Sequence, residues 1–207
     1  MQCFGQLLLL DRPAPHRRKL AVTTPRIAII LLAAGRATRF GGGKLGTTLA
    51  GKPLARHAAD SLSTLPHVQR IAVCSTQTPD LPGFSRLLLD PPEAPLSHSI
   101  AAAVAALGDV DAALFALADM PLVPAAHFAE LVARFDGDRI ATQVDGRNMV
   151  PAIFGKQHFP ALAALVGDRG GGELLADAPW VDLPAHLALD IDTPDDLQSA
   201  KEQLQGL

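Results

Sequence analysis

The run IAIILLAA, Ile27 to Ala34, is apolar at every position, the pattern of a strand buried on both faces. It opens into a loop that holds Gly35, Gly41, Gly42 and Gly43 and whose only charges are Arg36, Arg39 and Lys44. The period then changes. Leu54, Ala58, Leu62 and Leu65 recur at helical spacing behind Pro53, which suits a helix's first turn. Arg56 and His57 fall off that stripe and read as solvated helix surface. Another strand is expected at Ile71–Cys74, so the segment from Ile27 reads as a βαβ unit.

Further on, Leu87–Leu89 is a short apolar piece that ends at Asp90. Ile100, Val104 and Leu107 mark a helix with Ser97 as its N-cap. Ala112–Leu117 is a second buried strand, followed by Ala118-Asp119-Met120-Pro121 and a helix over Pro124–Phe135. Arg139–Val144 and Met149–Phe154 flank Asp145–Gly146, a hairpin signal whose four-residue spacing predicts more than a two-residue turn. A hairpin in an alternating α/β chain implies a mixed sheet. After a short helix at His158–Val166, Gly167–Gly172 forms a second glycine-rich loop before Glu173–Ala176. That loop reads as a lid, a substrate contact or a plain connector. A strand is expected at Trp180–Leu183. From Leu187 to Asp192 the pattern alternates, so Asp190 and Asp192 share one face of a strand, roughly 6–7 Å apart. Thr193, Pro194 and Asp196 then form the start of a helix, with Thr193 and Asp196 as a capping box.

The chain has 207 residues, 48% of them hydrophobic, enough for one substantial core or at most two small ones. Residues 1–25, with Pro13, Pro15 and Pro25, read as a disordered extension, and 26–207 as a single domain. A net charge of −3 argues against a nucleic-acid binder held by bulk electrostatics. The two cysteines, Cys3 and Cys74, form no CxxC pair, which disfavours a zinc site and suits a reducing cytoplasm. No apolar run approaches the ~20 residues of a membrane span.

Three features carry chemistry. The cationic glycine loop could cradle phosphates, with backbone N–H groups close to the oxygens, or be a solvated turn. Asp119, just past a buried strand, stands where open α/β sheets bind ligands and suits Mg²⁺, or it caps a helix. Capping explains Asp195 and Asp196 but leaves Asp190 and Asp192 as metal candidates. Together these are the parts of phosphoryl-type transfer, in which the protein mainly positions and neutralises. The loop is not a P-loop, because Lys44 is followed by Leu45.

Leu32-Ala33-Ala34-Gly35 with Arg39, Gly41 and Lys44 resembles the signature loop of the NTP-transferase superfamily. Ala118-Asp119-Met120-Pro121 resembles its metal-aspartate motif. Gly167-Asp168-Arg169-Gly170 and the stretch from Asp190 to Leu197 resemble later motifs of the molybdenum cofactor nucleotidyltransferases, in the same order along residues 26–200. The resemblance implies a Rossmann-like, three-layer α/β/α fold with a mixed, mostly parallel sheet, of the nucleotide-diphospho-sugar transferase type. It implies Mg²⁺-dependent transfer of a nucleoside monophosphate to the terminal phosphate of molybdopterin, with release of pyrophosphate. Leu32, Ala33, Ala34 and Gly35 would meet the base and ribose. Arg39 and Lys44 would bind the triphosphate, and Gly41 would belong to the nucleotide-binding loop. Arg39, Lys44 and Asp119 would be catalytic, and Asp119, Asp192 and Asp190 would hold the metal. Asp90 stands where guanylyl members carry an aspartate that meets the nucleotide. The Ala33-Ala34-Gly35 sequence and the five steps from Arg39 to Lys44 resemble the cytidylyl branch, so CTP is the favoured partner. The acceptor half departs from that branch, with Ser99-Ile100-Ala101 lacking its arginine and Arg147-Asn148-Met149-Val150-Pro151 differing from its usual Asn/His-Pro pair. The implied partners are a molybdopterin-type acceptor and a molybdoenzyme or its chaperone, with no nucleic acid and no membrane. A guanylyltransferase, a relative with another phosphorylated acceptor, and a non-catalytic nucleotide or cofactor delivery module are the competing readings.

Overall fold

The apolar run forms the central strand β1, Ile27–Ala33, buried at all seven positions. The computed structural model describes residues 24–34, 40, 42–91, 94–168 and 170–205. The expected disorder of residues 1–25 therefore falls, up to residue 23, outside the described residues. A small antiparallel pair, β2 (Thr48–Leu49) and β3 (Lys52–Pro53), precedes helix α1 (Leu54–Ser63). There follow β4 (Gln69–Cys74), β5 (Ser85–Leu88), α2 (Leu96–Ala105), β6 (Ala112–Leu117) and α3 (Ala125–Arg134). The chain closes with β7 (Arg139–Val144), β8 (Arg147–Gly155), α4 (Phe159–Ala163), β9 (Trp180–Asp182) and α5 (Pro194–Gln205).

Among the described residues seven strands make one sheet, in the order β5-β4-β1-β6-β8-β7-β9. β8 alone runs against the rest, antiparallel to β6 and β7. The fold is thus the expected Rossmann-like mixed sheet between helices. Alternate residues of β1 enter opposite cores. Ile29 and Leu31 pack with α1 and α3, and Ala28 and Ile30 pack with α2 and α4. A third cluster, Leu49, Leu54, Leu122, Ile191, Leu197 and Ala200, fastens α5 over the β2–β3 pair.

Several local expectations change. Leu187–Asp192 is not a strand: Ala185–Ala188 is a 3-10 turn, and the next residues are extended without a ladder. Asp145 and Gly146 form a two-residue turn with φ of 48° and 77°, because β8 starts at Arg147 and pairs it with Val144. Ser97 lies inside the first turn of α2, and Pro95 occupies the cap. The helix expected at His158–Val166 shrinks to α4, preceded by a 3-10 turn at Lys156–His158. His57 is not free surface, since its Nε2 lies 2.8 Å from the Leu49 carbonyl oxygen. The capping box is present: Asp196 N–H donates to Thr193 Oγ1 (3.2 Å) and Thr193 N–H donates to Asp196 Oδ2 (2.7 Å).

Pro151 lies in an interior strand, where it cannot donate to a ladder. The β7–β8 register accommodates it by jumping from Ala141↔Ala152 to Thr142↔Met149, a bulge. Buried Thr142 donates from Oγ1 to the Pro151 carbonyl (2.6 Å), so His127 Nε2–H donates to that hydroxyl (2.8 Å). Burial lowers the His127 pKa, against a smaller opposing pull from Glu130. A base depressed in the folded state stabilises above its unfolded pKa of about 6.5, and that contribution is lost as pH falls. The melting-temperature advantage of wild type over His127→Asn is therefore expected to shrink between about pH 8 and pH 5. A constant difference across that range would contradict the neutral imidazole.

Candidate active site

The strand order turns at β1. The chain builds outward through β4 and β5, then returns to β6 on the other side of β1. The carboxyl ends of β1 and β6 therefore diverge around a crevice, the usual ligand position in such sheets. The loop after β1 delivers Lys44 to this crevice, and the turn after β6 delivers Asp119. Lys44 begins a 3-10 turn, Lys44–Gly46, behind Gly42 (φ 98°) and Gly43 (φ 63°), a backbone path that side-chain-bearing residues resist. The Gly43 N–H donates to Gln77 Oε1 (3.3 Å), and Thr78 Oγ1 donates to the Ala33 carbonyl (2.7 Å). Those two bonds tie the segment after β4 to both ends of the glycine loop.

Lys44 Nζ lies 2.8 Å from Asp192 Oδ1, 2.9 Å from Asp119 Oδ2 and 3.9 Å from Asp190 Oδ1. Its side chain is only 6% exposed. Burial disfavours the ammonium, but the Asp119, Asp192 and Asp190 carboxylates outweigh it and raise the Lys44 pKa. Burial, then the charges of Asp119 and Asp192, push the Asp190 carboxyl up to about 7 against the pull of Lys44. Although 187–192 is no strand, the alternation still operates. Ile191 is fully buried and donates its N–H to the Asp119 carbonyl (3.0 Å), which turns Asp190 and Asp192 toward Asp119. Asp196 Oδ2 also accepts from the Asp192 N–H (3.1 Å), so the helix cap fixes the loop that carries Asp190 and Asp192.

A cavity of about 410 Å³ opens over this cluster, walled by Leu32, Ala34, Lys44, Asp119, Asp190 and Asp192 among others. The structure thus brings six of the sequence candidates together. Ala33 faces the opposite core. Asp90, exposed after β5, is not among the residues that wall the cavity. Gly35, Arg39 and Gly41 lie outside the described residues, as do Arg36 and Arg169. Sequence reading missed Ser99 and Leu117 as cavity walls and Gln77 as the loop's anchor. Leu117 was visible only as the end of an apolar run, and Gln77 carried no signal.

Residues 29–184 match the family profile described as the MobA-like NTP transferase domain. The chain belongs to this family. No curated protein sequence matches it. As a MobA-like NTP transferase it shares its fold with Rv0371c from Mycobacterium tuberculosis H37Rv at a TM-score of 0.76 and 21% identity, covering 86% of this chain and 98% of that one. The mycobacterial protein has also been solved in complex with manganese, at a TM-score of 0.72, 21% identity and the same coverage. A Methanothermobacter nucleotidyl transferase aligns at 0.73 with 17% identity, covering 88% and 99%. Molybdopterin-guanine dinucleotide biosynthesis protein A from Archaeoglobus fulgidus aligns at 0.62 with 20% identity, covering 87% and 100%.

The MobA-like site suits a divalent cation. Asp119, Asp190 and Asp192 each offer an oxygen within 4.8 Å of the others. Among the described residues Asp119 Oδ1 is buried with no hydrogen-bond partner, and the ammonium of Lys44 already occupies the cationic centre of the cluster. Three carboxylates so close demand positive charge, and an all-oxygen donor set is hard, matching Mg²⁺ or Mn²⁺.

Proposed function

We propose that this MobA-like NTP transferase moves CMP from CTP to the terminal phosphate of a molybdopterin-type acceptor, with Mg²⁺, and releases pyrophosphate. One observation carries the reading: a buried lysine and three converging aspartates at the crevice between β1 and β6, in a chain of this family. Asp119, Asp190 and Asp192 would hold the ion. When bound, it would offset the triphosphate charge and polarise the phosphoryl group. Lys44 supplies a fixed cation at the phosphates, supplemented by Arg39. An acceptor phosphate oxygen, already ionised near neutral pH, forms the new bond to the α-phosphorus as the bond to pyrophosphate breaks. No side-chain nucleophile is required.

Ala34 in the cavity wall and the five steps between Arg39 and Lys44 favour CTP over GTP. The name of the Archaeoglobus structure keeps GTP as the second reading. The cluster itself weighs against a mere delivery module, since carriage alone needs no complete metal set. The cytoplasm is the proposed setting, with a molybdoenzyme or its chaperone as recipient. Among the described residues no helix is long and apolar enough to cross a membrane. The test is pyrophosphate release with each of the four NTPs, molybdopterin and Mg²⁺. CTP is expected to give the highest kcat/KM. Preference for GTP would replace the cytidylyl reading, and no release with any NTP would remove the catalytic one.

A further inference from the structure

Lys44 and the cation that the cluster suits claim the same oxygens. Among the described residues, every partner of the ammonium is one of the three carboxylates: Asp192 Oδ1 at 2.8 Å, Asp119 Oδ2 at 2.9 Å and Asp190 Oδ1 at 3.9 Å. A divalent ion held by these carboxylates would stand close to a second positive charge. At the buried end of the cluster water screens that repulsion little. One ammonium cannot lie between the carboxylates and against the phosphates at once.

The ammonium also serves the cluster only in part. Among the described residues Asp119 Oδ1 stays buried without a hydrogen-bond partner, and 3.9 Å to Asp190 Oδ1 is too long for a hydrogen bond. A single positive charge faces three carboxylates, and a doubly charged ion offsets more of theirs.

The turn that carries Lys44 is anchored through its main chain. The Gly46 N–H donates to the Gly43 carbonyl (2.9 Å) and the Thr47 N–H to the Lys44 carbonyl (3.0 Å). At the start of α1, the Leu54 N–H donates to the Thr47 carbonyl (2.9 Å). The Cα therefore stays in place while the flexible four-carbon stem can turn. Lys44 and the carboxylates wall the same cavity of about 410 Å³. Triphosphate oxygens in that cavity offer the ammonium a second set of acceptors.

We propose that Lys44 is a displaceable internal cation: its ammonium closes the carboxylate site to free divalent ions, and a triphosphate draws it off, so that ion and triphosphate load together. The inference rests on the nucleotidyltransferase reading and adds the order in which its site fills. The exchange moves charges and neither forms nor breaks a covalent bond. By linkage, the factor by which triphosphate strengthens ion binding equals the factor by which the ion strengthens triphosphate binding, and such factors run to roughly 5–150-fold.

Two probes need no nucleobase: Mn²⁺ alone, followed by the electron paramagnetic resonance of the free ion, and magnesium tripolyphosphate. Lys44→Met is expected to bind Mn²⁺ roughly tenfold or more tightly than wild type. Lys44→Gln, which keeps a hydrogen-bond donor at the cluster should the Met variant fold poorly, is expected to do the same. Lys44→Arg keeps the charge and should stay near wild type. In wild type labelled with carbon-13 at lysine Cε, the Lys44 resonance, identified by its loss in Lys44→Arg, should shift with magnesium tripolyphosphate and not with Mg²⁺ alone. Equal Mn²⁺ affinity in wild type and the neutral variants overturns the closure. Weaker affinity in those variants overturns it as well, because Lys44 then builds the site. A Lys44 resonance unmoved by saturating magnesium tripolyphosphate overturns the displacement. If the neutral variants bind Mn²⁺ more tightly and no NTP yields pyrophosphate, the closure stands and the nucleotidyltransferase reading goes. Pyrophosphate release with equal Mn²⁺ affinities removes the closure alone.

Discussion

Asp119→Asn is expected to lower metal-dependent pyrophosphate release by roughly 10²–10³-fold, the scale of losing a charge-stabilising group aimed at a transferring phosphoryl. The substitution keeps the side chain's shape but removes the charge at the buried end of the cluster, including the Oδ1 that has no hydrogen-bond partner among the described residues. The fold should survive. Lys44 keeps Asp192 at 2.8 Å, and the Ile191 N–H bonds the Asp119 main-chain carbonyl, which the variant retains. Steady-state assays over a Mn²⁺ or Mg²⁺ titration, with a thermal melt, check this. Near-wild-type turnover at any metal concentration would sink the metal assignment of Asp119.

Lys44→Met should act on both stability and triphosphate binding. It removes the cation that Asp119 and Asp192 share and leaves three mutually repelling carboxylates. Losing one partner of a fully buried pair costs ~3–5 kcal/mol, but Asp190 and Asp192 are nearly half exposed, so ~1–3 kcal/mol is the expected loss. For a chain of this size that is roughly 2–4 °C in melting temperature per kcal/mol. Added Mn²⁺ should recover much of it by replacing the lost charge, while KM for CTP stays raised. Calorimetric melts with and without Mn²⁺ and a CTP titration separate the two effects. An unchanged melting temperature together with unchanged kcat and KM would show that Lys44 serves neither purpose.

The parts legible in sequence were those in which local chemistry and global fold agree. Ile27–Ala33 could only be a doubly buried strand, and Thr193-Pro194-Asp195-Asp196 could only start a helix. The misread segments were decided by contacts distant in sequence. Leu187–Asp192 alternates because Ile191 plugs the cluster under α5, not because it joins a ladder. His57 was read as surface because nothing near it in sequence announces that the Leu49 carbonyl bends back to meet it. Ser97 is a good capping residue, but Pro95 already turned the chain into α2.

Taken alone, the sequence determined the layered α/β architecture, the cationic glycine loop and the aspartates that suit a hard cation, because side-chain type and short-range period carry that information. Tertiary structure alone decided that Lys44 and Asp119 meet, 75 residues apart in sequence, since only the reversal of strand order around β1 opens the crevice between their strands. It alone also gave Gly170 and Gly171 their close neighbours. A glycine's role is set by what its missing Cβ would strike, and Phe154, Leu162 and Leu96 reach it from α2, β8 and α4.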